Sequence, residues 1–253
     1  MRFASLGSGS RGNATLIEAD GTCLMVDCGF TLAEIERRLV RLGRSGDDIA
    51  AILITHEHAD HVRGAARFAA RYRLPVYATP GTFEACARHA FECVEPFSVH
   101  DNFAVGAIEI APVAVPHDAR EPSQFVFGDG AHRIGVLTDL GHVTAHVVRS
   151  FAACDALVLE CNHDETMLVT GPYPPSLKQR VGGLLGHLSN AQAATLLAQL
   201  DLSRLQHLVA AHLSERNNSP AHAREALATA AGCETGWVAI AGQDDGLAWR
   251  EVS

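Results

Sequence analysis

The sequence predicts an α/β fold: two mixed β-sheets packed face to face, with helices outside. Three observations lead there. Hydrophobic residues make up 47% of the chain, enough for a sizeable core. Short apolar runs bounded by Gly, Pro, Asn and Asp recur and read as strands. Amphipathic helical stretches are interspersed among them. At 253 residues, with no repeat, low-complexity segment or linker, residues 1–253 read as a single domain.

Residues 3–6 are the first strand, followed by a Gly/Ser loop over 7–13. Residues 14–18 and 22–27 read as a hairpin turning at Ala19-Asp20-Gly21. Residues 31–42 are an amphipathic helix: Leu32, Ile35, Leu39 and Leu42 line one face, and Glu34, Arg37, Arg38 and Arg41 the other. Thr31 and Glu34 have capping-box spacing, and Gly43 is a natural stop. A buried strand at 51–54, a helix over 62–72 and a strand at 76–78 follow. Thr79 caps, and Pro80 opens, a helix running to about residue 90. From 94 to 136 the pattern is β, with hairpins pairing 103–105 with 108–113 and 124–127 with 133–137. A strand at 156–159, a helix over 191–200, a strand at 208–211 and a helix over 220–231 lead to a last strand pair, 237–240 with 247–250.

The formal net charge of −9 argues against a broadly basic nucleic-acid-binding surface. It leaves a phosphate substrate open, because divalent cations supply local positive charge. The seven cysteines form no Cys-x-x-Cys pair, so a thiolate zinc site is not suggested. No apolar run is long enough to span a bilayer, and the N-terminus lacks a signal-peptide pattern. A cytoplasmic location is the expectation.

The chemistry concentrates in Thr55-His56-Glu57-His58-Ala59-Asp60-His61, directly after an apolar run. Imidazole and carboxylate are donors that suit Zn, Mn or Fe. His56 and His58, two apart, point the same way from an extended segment. Asp60 and His61, in a tight turn, are better placed for a second metal. With 14 histidines in the chain, an isolated one means little; four donors at this spacing mean more. One cluster cannot close two sites, so further donors belong at other strand ends. His117, Asp139 and His212 each come just after an apolar run. Singly, each reads as a hydrogen-bonded turn residue. Their shared placement favours ligands.

These segments, with Val26-Asp27-Cys28-Gly29 before them, resemble the metallo-β-lactamase-fold hydrolases along nearly the whole chain. The likeness is closest to the YycJ/WalJ-like exonuclease branch. The marks of that branch are Leu6–Asn13, Glu160-Cys161-Asn162-His163-Asp164, Gly171-Pro172-Tyr173-Pro174, Leu177-Lys178-Gln179-Arg180, Gly186-His187-Leu188-Ser189-Asn190 and His212-Leu213-Ser214 with Asn217-Asn218. The resemblance implies an αββα four-layer sandwich with two divalent ions, Zn²⁺ or Mn²⁺, at one sheet edge. It implies that His56, His58 and His117 hold one ion, that Asp60, His61 and His212 hold the other, and that Asp139 bridges them. Asp27 would support the metal loop without binding metal.

The reaction this implies is phosphodiester hydrolysis, of the 5′→3′ exodeoxyribonuclease type, with a metal-activated hydroxide attacking phosphorus. DNA is expected over RNA as substrate. Asp60 would orient the hydroxide, and His187 would protonate the leaving oxygen, oriented by Glu160 and His163. Ser8, Ser10, Arg11 and Asn13 offer a phosphate cradle, and Lys178 and Arg180 a grip on the nucleic-acid backbone. Each has a plainer reading: a glycine turn, ordinary solvated charge, or, for His187, a neighbour of a helix cap. The alternative function is hydrolysis of a thioester or lactone on the same metals, as in glyoxalase II-like relatives. Those carry an extra helical region that is not evident after His212. A metal-stabilised binding protein without turnover is a third reading.

Overall fold

The computed structural model describes residues 1–86 and 91–253. The first sheet is built from β1 (Arg2–Gly7), β2 (Ala14–Ala19), β3 (Thr22–Val26), β4 (Ala51–Leu53), β5 (Val76–Ala78) and β6 (Val94–Pro96). The second contains β7 (Phe103–Val105), β8 (Ile108–Ala114), β9 (Ser123–Gly128), β10 (Arg133–Leu137), β11 (Ala156–Glu160), β12 (His207–Ala211) and β13 (Ala239–Ile240). The last strand, β14 (Leu247–Glu251), returns to the first sheet beside β1. The strand orders are β14-β1-β2-β3-β4-β5-β6 and β13-β12-β11-β10-β9-β8-β7. Each sheet is antiparallel in one half and parallel in the other.

Period-two alternation divides the core into layers. Leu24 and Val26 of β3 meet Phe125, Phe127, Val136 and Val158 of the second sheet in a central layer. Their neighbours Cys23 and Met25 face outward under Ile35, Leu39 and Phe68 of the helices. Likewise Ala156 and Val158 face inward, while Leu157 and Leu159 pack on Phe151, Leu196 and Leu227. The result is the expected αββα sandwich.

The helices are α1 (Leu32–Arg41), α2 (Ala59–Val62), α3 (Ala65–Tyr72), α4 (Pro80–Ala85), α5 (Ala145–Phe151), α6 (Glu165–Thr170), α7 (Pro175–Val181), α8 (Asn190–Leu197) and α9 (Pro220–Ala231). Several expectations are corrected. Thr31 makes no side-chain cap; Glu34 bonds Arg37 and Arg38 instead. The helix expected over 62–72 is broken at Gly64, whose N–H bonds Cys28 O and whose Cα packs against the carbonyl of Phe30. The helix after Thr79 closes at Ala85; the rest of its expected span, 87–90, lies outside the described residues. The last two strands do not pair with each other. β13 joins β12 and β14 joins β1, because a tight turn between Gly242 and Gly246 carries the chain from one sheet to the other. Helices α5, α6 and α7 are additions to the expected elements; prolines at 172, 174 and 175 mask the start of α7.

Candidate metal centre

The carboxyl ends of β1, β3, β4, β8, β10, β11 and β12 meet at one edge of the sandwich, where open α/β sheets place ligand sites. Asp27, Asp139 and His212 each follow a strand end with positive φ, 60°, 56° and 54°. That left-handed backbone is unfavourable for residues other than Gly. Here it turns the chain abruptly, so the side chain projects over the sheet edge rather than along it.

Four sets of donors converge there. His56, His58 and His117 form one, Asp60, His61 and His212 a second, Asp139 joins His56 and His61 in a third, and Asp139, Glu160, His187 and His212 make a fourth. Within each set the ligand atoms lie within 4.8 Å of one another. The imidazoles are oriented by their other nitrogens. His58 Nε2 donates to Asp118 O at 3.2 Å, His117 Nδ1 to Gly186 O at 3.0 Å, and His61 Nδ1 to Asp27 Oδ2 at 2.7 Å. His56 Nδ1 is 2.9 Å from Thr55 Oγ1, whose proton goes to Asp27, and His212 Nδ1 is 3.3 Å from Glu160 Oε1. Each ring is left with one lone pair for the cluster.

Whether a cation fits can be tested on polar satisfaction. His56 Nε2, Asp139 Oδ2 and His212 Nε2 are buried and lack a hydrogen-bond partner. His61 Nε2 lies 3.2 Å from Asp139 Oδ2 without forming a hydrogen bond to it. Orphaned buried polar atoms are rare and cost about 1–3 kcal/mol each. Cations bound in these donor sets would satisfy all three. The electrostatics agree. Burial disfavours ionised Asp139, yet His212 and His61 hold its carboxyl well below the usual range. Burial also opposes ionised Asp60, and His61 and His212 likewise hold it low. For His212, burial lowers the pKa, but Asp139, Asp60 and Glu160 outweigh it and raise it to about 10. The negative potential that retains a proton there equally attracts a metal ion in its place.

A cleft of about 390 Å³ opens over the cluster, lined by His58, Asp60, Asp139, His187 and His212 together with Tyr173, Leu177, Arg180 and Val181. His187 Nδ1 bonds Glu160 Oε1 at 2.7 Å. Glu160 is fully buried and also accepts from Leu140 N and Leu188 N. Burial pushes its carboxyl up, and His187 overrides that to hold it at about 2.

The residues expected to meet the substrate divide. Ser10 lines the cleft. Ser8 is buried, and its Oγ accepts from His212 N at 2.9 Å. Asn13, also buried, donates its backbone N–H to Asp60 O at 2.8 Å. These two brace ligands and have no open face for a phosphate. Arg11 is committed elsewhere, paired with Glu215 at 2.8 Å and Asp244 at 2.7 Å, acids that only the folded chain brings to it. Lys178 Nζ donates to Val169 O at 2.6 Å and is not among the cleft-lining residues. Arg180 does line the cleft, with Nε donating to Asp118 Oδ2 at 2.6 Å. His163 sits in a bridge with Ser189 and its carbonyl accepts from Asn190 N, so it anchors the start of α8 rather than bonding His187. Sequence reasoning missed Thr55 and Asp118, although both adjoin histidines already singled out.

The family model for the beta-lactamase superfamily domain matches residues 22–212. Exodeoxyribonuclease YycJ of Bacillus anthracis is 35% identical over 229 residues, covering 88% of this chain and 86% of its own length. Exodeoxyribonuclease WalJ of Streptococcus pneumoniae is 32% identical over 224 residues, covering 86% of this chain and 83% of its own. The metallo-beta-lactamase fold protein YhfI of Bacillus subtilis superposes with a TM-score of 0.76 at 17% identity, covering 99% of both chains.

Proposed function

The chain belongs to the β-lactamase superfamily, and within it we propose a metal-dependent phosphodiesterase, a DNA exonuclease acting through two divalent ions, Zn²⁺ or Mn²⁺. The observation that carries this is the trio of buried, unsatisfied donor atoms beneath a cleft that also holds the His187–Glu160 pair. The choice of DNA leans on two relatives named as exodeoxyribonucleases and alike over most of their length. With DNA as substrate, the place of work is the cytoplasm.

His56, His58 and His117 would hold one ion, Asp60, His61 and His212 the other, and Asp139 would lie between them. Two divalent cations lower the pKa of a water and offset charge on phosphoryl oxygens. Asp60, in the cleft wall, orients the attacking water. His187 gives its Nδ1 proton to Glu160 as a hydrogen bond, which leaves Nε2 for the substrate. From there it donates a proton to the leaving oxygen, and the Glu160 carboxylate stabilises the imidazolium that does so.

The test is a panel of bis(p-nitrophenyl) phosphate, duplex DNA with either 5′ end state, RNA and S-lactoylglutathione. Release of nucleotides from DNA ends is expected, with loss of that activity in His56→Ala and Asp60→Ala. Cleavage of the thioester alone would overturn the proposal.

A further inference from the structure

One part of the cleft lining has no role in the chemistry above. It comes from α7 and the turn before it: Tyr173, Leu177 and Val181 line it, with Arg180 from the same helix. Leu177 and Val181 are one helical turn apart and so share a face. All three apolar or aromatic side chains are only partly buried. Among the described residues, no ring stacks on Tyr173 and its hydroxyl has no hydrogen-bond partner. An aromatic and aliphatic lining that shares one cleft with histidines and carboxylates is chemically two-faced. One face suits a phosphate held by cations, the other a flat, apolar group attached to it.

The cleft is also small. Its roughly 390 Å³ is near the lower end of the range for ligand sites. That is room for a single nucleotide beside the metal cluster. The wall is firmly placed. Arg180 is tied to Asp118, which in turn accepts from His58 through its carbonyl and bonds Leu185 O through its N–H. The helix position is therefore coupled to the ligand set itself. At the mouth, Arg180 is 58% exposed and supplies a cation for a phosphate.

We propose that Tyr173, Leu177 and Val181 form a platform on which the base of the terminal nucleotide of a DNA strand stacks, while its phosphodiester lies at the metal cluster and Arg180 meets an adjacent phosphate. This rests on the phosphodiesterase reading and adds a specificity to it: the enzyme recognises a strand end through an unstacked base of any identity. Stacking on an aromatic ring is sequence-tolerant, because every base has a π-face. A terminal base pair frays more readily than an internal one, so a one-nucleotide cleft selects ends.

The experiment compares kcat/KM for two DNA strands that differ only at the terminal nucleotide, one intact and one abasic. The wild-type ratio of intact to abasic is expected to be about tenfold or more. In Tyr173→Ala the ratio should fall to near one, in Leu177→Ala to an intermediate value, and in Tyr173→Phe it should persist. The ratio is internal to each variant, so partial loss of folded enzyme does not move it. If Tyr173→Ala keeps the wild-type ratio, or wild type itself shows none, the platform is wrong and the nuclease reading stands. If wild type releases no nucleotide from any DNA end, the nuclease reading falls and the platform with it.

Discussion

Glu160 Oε1 lies 2.7 Å from His187 Nδ1, and the same oxygen is 3.3 Å from His212 Nδ1. One buried carboxylate thus orients both the proposed proton donor and a proposed metal ligand. It is held in turn by the backbone N–H groups of Leu140 and Leu188. The acid and the metal cluster are therefore mechanically linked.

This linkage separates leaving-group chemistry from metal binding. His187→Ala should lower kcat on DNA by about 10²–10⁴-fold. On bis(p-nitrophenyl) phosphate, whose leaving phenolate needs no proton, the loss should be under about tenfold. Equal losses on both substrates would remove His187 from the acid role. Glu160→Gln should impair both substrates, by about 10–100-fold, because it also loosens His212.

Asp27 bonds His61 Nδ1 at 2.7 Å and Thr55 N at 2.9 Å. Asp27→Asn should weaken metal affinity about 10–100-fold. Competition against a chromophoric chelator measures this directly. Unchanged affinity would show that His61 orientation does not depend on Asp27.

A Cβ on Gly29 would overlap the carbonyl of Asp60, in the loop that carries the ligands. Gly29→Ala should destabilise the fold by about 1–3 kcal/mol and lower metal content as well. Gly236→Ala, where a Cβ meets nothing within 4 Å, is the control; it should lie within about 0.5 kcal/mol of wild type. Urea unfolding and metal analysis on both variants decide it.

Metal removal should cost stability as well as activity. Without a cation, His56 Nε2, Asp139 Oδ2 and His212 Nε2 are left buried and unsatisfied. A metal bound at a hundred times its dissociation constant adds about 2.7 kcal/mol. Thermal unfolding with and without chelator should show a lower Tm for the stripped protein, restored by Zn²⁺ or Mn²⁺. An unchanged Tm would contradict metal binding at this cluster.

Far from the site, burial pushes the Asp129 carboxyl up, but the N–H groups of His132 and Ala131 and the His132 ring outweigh it and hold the pKa at about 2. A depressed carboxylate pKa stabilises the fold above its unfolded value, and that stabilisation is lost as pH falls through the folded value. The Asp129 contribution should therefore be complete at pH 5 and gone by about pH 2, amounting to about 1 kcal/mol in this partly solvated turn. Asp129→Asn should flatten the acid limb of the stability–pH curve by that amount and leave the metal site intact.

Much of this protein is legible in one dimension. The strands and the candidate donors at or near their ends follow from apolar runs bounded by His, Asp and turn residues; the αββα layering and the full seven-residue ligand set are what the family resemblance implies. A strand end is a local feature, and the residue after it is the one that reaches the sheet edge. The elements that resisted were those whose local signals are masked or non-local. Helix α7 hides behind prolines, and β13 and β14 resemble a hairpin but pair with different sheets.

The sequence by itself determined the chemistry: which donors exist, that they cap strands, and that cations suit them. Only the tertiary structure decided how each is used. It turned Ser8 and Asn13 inward to brace ligands, drew Arg11 to Glu215 and Asp244, and set Glu160 under both His187 and His212. The physical reason is that a side chain's partners are chosen by the packing of segments distant in sequence. Arg11 and Asp244 are 233 residues apart, and His212 and Glu160 are 52 apart. No local pattern encodes contacts of that range.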